Sequence, residues 1–126
     1  MKIVQAWKEP GVQIPEPFKR EIKLLLGPDK GNVDVARINL VIIPPGGRTN
    51  SHEHDRPEMI FVIEGEGLCR YENGSETIIK DTLIWVEKGD SHQILNESTF
   101  PLKLLTLFIP GFTSEKALYQ QQLYKK

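Results

Sequence analysis

Turn-forming residues cut this chain into apolar runs too short for the helices of a bundle, and that punctuation constrains the fold more than any other feature. Pro44-Pro45-Gly46-Gly47 makes a firm break. Gly11, Pro15 and Pro17, then Gly27-Pro28, divide the first third, Gly65 and Gly67 flank Glu66, and Asn73-Gly74 is a two-residue hairpin signal. Between the breaks, Arg20 to Leu26, Val35 to Ile43, Met59 to Ile63, Leu68 to Tyr71, Glu76 to Ile79, Leu83 to Val86, His92 to Leu95 and Leu102 to Ile109 are rich in Val, Ile, Leu and aromatic residues, and each predicts a strand. Short strands at this spacing form a sandwich or a barrel, so the fold class is all-β. One helix is predicted, Glu115 to Leu123, capped by Ser114 and carrying Tyr119 and Leu123 on one face.

Two runs, Met59-Ile60-Phe61-Val62-Ile63 and Leu104 to Ile109, are apolar at both parities. One parity of a barrel strand faces inward and the other outward, so part of the outer surface must be covered. A second copy of the chain, as a homodimer, is the expected cover.

A length of 126 residues fits one domain spanning 1–126, and a formal net charge of -1 gives no electrostatic footprint for nucleic acid. The basic pairs Lys19-Arg20 and Lys125-Lys126 read as solvated ends. No run approaches the ~20 apolar residues of a membrane span, and MKIVQAWKEPG lacks a signal-peptide apolar core. The single cysteine, Cys69, precludes an intrachain disulfide and reads as a buried, inert thiol. The expectation is a cytoplasmic protein with no membrane partner.

All three histidines fall in one pattern with one glutamate: Gly46, His52, His54, Glu58 and Gly65, then Gly89, His92 and Asn96. Positions i and i+2 of an extended segment share a face, so His52 and His54 can present their imidazoles side by side. Pro57 bends the chain so that Glu58, in phase with Ile60 and Val62, can enter the same interior. His92 reaches them only if the intervening hairpins fold it back. Three imidazoles and a carboxylate suit one divalent transition ion, Mn, Fe, Ni, Cu, Co or Zn, rather than Ca or Mg. Four protein ligands around an octahedral ion leave two positions for water, a bidentate substrate or dioxygen. A net charge near +1 favours a small anionic ligand.

These residues resemble the two motifs of the cupin superfamily, in particular the small single-domain type-2 cupins. Gly46 to His54, through Glu58 to Gly65, matches the first motif in full, and Gly89, His92 and Asn96 match the later part of the second. Asp81 and Glu87 stand where the family pattern has Gly and Pro. Asp tolerates the left-handed turn that Gly would serve, whereas Glu87 cannot preset φ. The resemblance covers about residues 35–109. It implies a double-stranded β-helix, a jelly-roll barrel with a short C-terminal helix, and makes His52, His54, Glu58 and His92 the metal ligands.

The family includes dioxygenases, decarboxylases, sugar isomerases and non-catalytic binding modules, so fold leaves function open. The leading expectation is a dioxygenase-like oxidoreductase acting on a small anionic or chelating substrate. The alternatives are a non-redox sugar or keto-acid isomerase or lyase, and a small-ligand-binding module. Isomerase and lyase chemistry needs a general acid or base besides the ligands, and none stands out. Arg70 and Tyr71 have opposite parities, so one of them faces inward. Trp85 and Phe108 read as core residues that can also line the cavity. Arg48 and Arg56 are placed to hold an anion at the rim, with a surface role the plainer reading.

Overall fold

The computed structural model describes residues 1–51 and 53–123, the side chains of 119–123 excepted. His52, the side chains of Tyr119 and Leu123, and the Lys125-Lys126 pair lie outside the described residues. The described residues form nine strands: β1 (Val12–Ile14), β2 (Arg20–Leu26), β3 (Arg37–Ile43), β4 (Glu58–Glu64), β5 (Glu66–Tyr71), β6 (Gly74–Ile79), β7 (Leu83–Val86), β8 (His92–Leu95) and β9 (Leu102–Phe108). A helix, α1 (Ser114–Leu123), follows them. The strands form a six-stranded sheet ordered β1-β2-β3-β9-β4-β7 and a three-stranded sheet ordered β6-β5-β8. The fold is therefore the expected all-β jelly roll. Among the described residues no helix is long and apolar enough to cross a membrane.

Alternation along the strands builds the interior. Leu102, Leu104, Thr106 and Phe108 of β9 are buried, while the residues between them are half-exposed. Glu58, Ile60 and Val62 of β4 follow the same rule. Ile60, Val62, Leu102 and Leu104 join Ile22, Val41, Ile43 and, from the small sheet, Cys69, Ile78 and Ile94 in one core between the sheets. Each fully buried aliphatic side chain contributes about 1.5–3 kcal/mol relative to exposure.

The outer face of the large sheet is apolar too. Register sets Met59 beside Leu107 and Leu107 beside Ile38, then Phe61 beside Leu105 and Leu105 beside Leu40. Except for Leu40, which is buried, these residues are half-exposed.

Several expectations need correction. β1 is an added short edge strand, and β3 begins at Arg37 rather than Val35. The hairpin between β5 and β6 exists, but Tyr71 pairs with Gly74, so Glu72-Asn73 makes the turn instead of Asn73-Gly74. Both registers bury Cys69 and Ile78 on one face, so the apolar pattern alone does not choose between them.

The cap of α1 is Thr113, whose hydroxyl accepts the Lys116 amide hydrogen at 3.2 Å. The Ser114 hydroxyl instead accepts from Arg37 at 2.9 Å. Arg37 is fully buried and also donates to Asp29 at 3.1 Å, and Asp29 accepts from the Ser114 amide at 3.0 Å. The entrance to α1 is thereby tied to β3.

Candidate metal centre

The two sequence motifs are stitched to each other. The Gly46 amide donates to the Asn96 carbonyl at 2.8 Å, the Asn96 amide to Gly47 at 3.0 Å, and the Thr49 amide to Ile94 at 2.8 Å. The segment leading to the histidine pair thus lies along β8, the strand that carries His92. Gly46, Gly65 and Gly89 all have positive φ, as does Asp81 at φ 70, which takes the left-handed turn expected of it. Asn96 is buried, donates to the carbonyls of Ile43 and Phe100 at 2.8 and 2.7 Å, and accepts from the Ser98 amide and hydroxyl. Its motif position is explained by satisfying four hydrogen bonds at a turn.

His54, Glu58 and His92 converge. All three are buried, and their ligand atoms lie within 4.8 Å of one another. Glu58 Oε1 stands 3.0 Å from His92 Nε2 and 3.7 Å from His54 Nε2. An ion bound at roughly 2.0–2.2 Å from each donor holds neighbouring donors about 3–4 Å apart, so this set fits an ion with slight contraction. The structure brings three of the four expected ligands together, and the position of His52 is outside those described.

Two supports orient the donors. His92 Nδ1 faces the Asp90 carbonyl oxygen at 3.3 Å, and since a carbonyl only accepts, Nδ1 carries the proton there and Nε2 turns toward Glu58. Burial lowers the His92 pKa, but the hydrogen bond and charge of Glu58 outweigh it, and the net shift is upward. The His54 carbonyl accepts the Gly89 amide at 3.0 Å, binding the ligand loop to the turn before His92. The His54 ring meets Phe108 edge-on with centroids 4.7 Å apart, and Phe108 meets Phe112 at 4.9 Å.

The three donors line an interior cavity of about 40 Å³, together with Arg20, Asn39, Thr49 and Thr106. That volume admits an ion and very small ligand atoms. His92 also borders an open hollow of about 320 Å³ between β5 and β7.

Residues 39–108 match the family described as Cupin domain. The chain belongs to that family. This cupin is 32% identical over 75 residues to an uncharacterized protein, MJ1618, of Methanocaldococcus jannaschii, covering 59% of this chain and 60% of that one. It is 30% identical over 69 residues to the oxalate-binding protein of Thermotoga maritima, covering 53% of this chain and 56% of that protein. The matches thus span less than two thirds of these curated relatives. The crystal structure of a predicted oxalate decarboxylase from Thermotoga maritima superposes with a TM-score of 0.79 at 20% identity, covering 86% of this chain and 99% of that one. That likeness establishes the double-stranded β-helix.

Other expected residues are placed differently in this cupin. Arg20, read from the sequence as solvated, is 2% exposed and donates to Asn50 Oδ1 at 2.8 Å. Burial lowers its pKa to about 10. Its in-phase spacing with Ile22 was the signal available for an inward position.

Arg48 donates to the Pro17 carbonyl and lies over the Phe18 ring, away from the cavity. Arg56 donates to the carbonyls of Pro110 and Gly111 and covers Phe112. Both therefore have the structural role. Phe108 is buried and lines the cavity, whereas Trp85, expected in the core, is 50% exposed because it takes the outward parity of β7 beside Met59, while Val86 next to it is buried. Tyr71 pairs with His92 and takes the inward parity, but at the barrel mouth, where it is 43% exposed. Cys69 is buried and free, and burial raises its pKa, followed by the charges of Glu76 and Glu58, as suits an inert thiol.

Proposed function

We propose that this cupin holds one divalent transition ion on His54, Glu58 and His92, with His52 as fourth ligand, and engages a small oxygen-chelating anion there. The observation that carries the reading is the convergence of two imidazoles and a carboxylate, contributed by both sheets and the loop between β3 and β4, on one buried space. The mixed nitrogen and oxygen donors suit Mn, Fe, Co, Ni, Cu or Zn. A bound ion supplies Lewis acidity and, for a redox-active metal, electron transfer. The chain holds the His92 tautomer through Asp90, and Phe108 walls the cavity beside His54. Arg20 contributes the guanidinium among the cavity-lining side chains, a charge suited to a carboxylate.

The activity proposed is that of a dioxygenase-like oxidoreductase. Among the described residues, the interior cavity is lined by no carboxylate besides Glu58 and no imidazole besides His54 and His92. An isomerase or lyase needs a further acid or base, whereas redox chemistry at an ion does not. A second reading, a non-catalytic binding module, is favoured by the curated relative named as oxalate-binding. Metal analysis of the purified protein, followed by dioxygen uptake with small carboxylates, catechols and keto acids, separates them. Uptake supports the enzyme, and metal with bound oxalate but no uptake supports the binding module. A protein that takes up none of these metals overturns both.

The proposal includes a homodimer and a cytoplasmic location. The dimer is supported by the apolar rows through Met59, Leu107 and Ile38 and through Phe61, Leu105 and Leu40 on the outer face. Light scattering should give twice the chain mass, and Phe61→Lys should halve it. The cytoplasmic assignment rests on the lone, buried, unpaired Cys69.

A further inference from the structure

The hollow between β5 and β7 differs chemically from the interior cavity that it adjoins at His92. Its volume is about 320 Å³, enough for a six-membered ring with a short substituent. Tyr71 supplies aromatic surface, and Ile84 and Val86 an apolar patch. The charged side chains on its lining are Glu72 and Asp90, apart from His92, and none of the described lining residues is Lys or Arg. Arg70, the nearest arginine in the sequence, has the opposite parity to Tyr71 on β5. The interior cavity has the reverse bias, with Arg20 on its wall.

We infer that this hollow seats the part of a ligand that does not touch the metal, and that it selects a flat group that is neutral or positively charged over one carrying an anion. The inference rests on the metal-centre reading for its place in the site. It divides the ligand into an anionic chelating end and an aromatic, uncharged or cationic end. Aromatic faces attract both rings and cations, and the two carboxylates add attraction for a cation and repel an anion.

The test is an amide-resonance titration of the full chain, as purified and after one equivalent of zinc chloride, with benzylammonium, benzyl alcohol and benzenesulfonate. All three carry one ring and differ in charge. Benzylammonium should shift the amides of Tyr71, Trp85 and Glu72 and bind roughly fivefold more tightly than benzenesulfonate, with benzyl alcohol between them. Tyr71→Ala should weaken all three probes. Glu72→Gln should weaken benzylammonium by about two- to threefold and leave benzyl alcohol unchanged. Both positions are exposed, so neither change threatens the fold.

Absence of shifts at the hollow with every probe, or benzenesulfonate binding as tightly as benzylammonium, overturns the inference. Zinc uptake is read separately, from the His54 and His92 ring signals. Zinc bound with no probe at the hollow defeats this inference alone. Probes bound with no zinc taken up defeats the metal reading and leaves the preference of the hollow standing.

Discussion

The carboxylate of Glu58 stands 3.0 Å from Nε2 of His92, a residue 34 positions further along the chain and on the other sheet. Buried and charge-assisted, this contact places the two donors that an ion must bridge. It also raises the His92 pKa, against the direction of burial, by stabilising the imidazolium.

Removing one donor should empty the site and leave the barrel intact. For His54→Ala, Glu58→Gln and His92→Ala we expect metal affinity to fall by more than about 100-fold, since even losing a partner that merely orients a ligand costs about 10–100-fold. Elemental analysis after dialysis, with far-ultraviolet circular dichroism as the fold control, measures both. Full occupancy in any of the three variants would remove that residue from the ligand set.

Metal loading should stabilise the fold by mass action. At a free ion concentration 100 times Kd the gain is about 2.7 kcal/mol. For a chain of this size that corresponds to a rise in Tm of roughly 5–15 °C. Thermal melts with zinc or manganese, and again after chelator treatment, follow the gain and its reversal. The ligand-deficient variants should show no rise.

Asp55 should make stability depend on pH in the acid range. Arg56, bonded to its carboxylate, holds the pKa down to about 2, with burial opposing and the charges of Arg56 and Lys116 assisting. A carboxyl depressed in the folded state stabilises above its unfolded pKa, near 3.9, and loses that contribution as pH falls through the folded value. Asp55→Asn should therefore be less stable than the parent at pH 7, and the gap should close between about pH 4 and pH 2. With Asp55 more than half-exposed, the difference at pH 7 should be within about 1 kcal/mol. Urea melts across this range test it.

Two motif glycines should respond unequally to Ala. Both have positive φ, +92 at Gly65 and +86 at Gly89. A Cβ at Gly65 would meet the Pro101 carbonyl oxygen at 2.5 Å, whereas nothing lies within 4 Å of one at Gly89. Gly89→Ala should cost about 1 kcal/mol of backbone strain, and Gly65→Ala more than about 2 kcal/mol from strain and clash together. Equal losses in chemical denaturation would contradict the close approach at Gly65.

Much of this architecture is written locally. Alternation in β4 and β9, the breaks around Pro44-Pro45 and the histidine spacing all act over a few residues, and they yield the strands and the donors. What escaped depends on distant partners. Arg20 looks like half of a surface basic pair, yet it is buried because Asn50, 30 residues on, accepts its hydrogen bond. Thr113 displaces Ser114 as cap because Arg37, 77 residues earlier, engages the serine hydroxyl. Trp85 has a core-like composition but pairs with Met59 at the outward parity of β7, and which parity faces inward is a property of the assembled sheet. The turn at Glu72-Asn73 reflects a register shift of two, to which apolar alternation is blind.

The distribution of donors over two sheets has a consequence for assembly. Glu58 belongs to the larger sheet and His92 to the smaller. Neither half of the chain, cut in the exposed turn at Glu72-Asn73, would own a complete cradle. Two such fragments would capture an ion only on reassociating, which turns metal uptake into a reporter of their complementation.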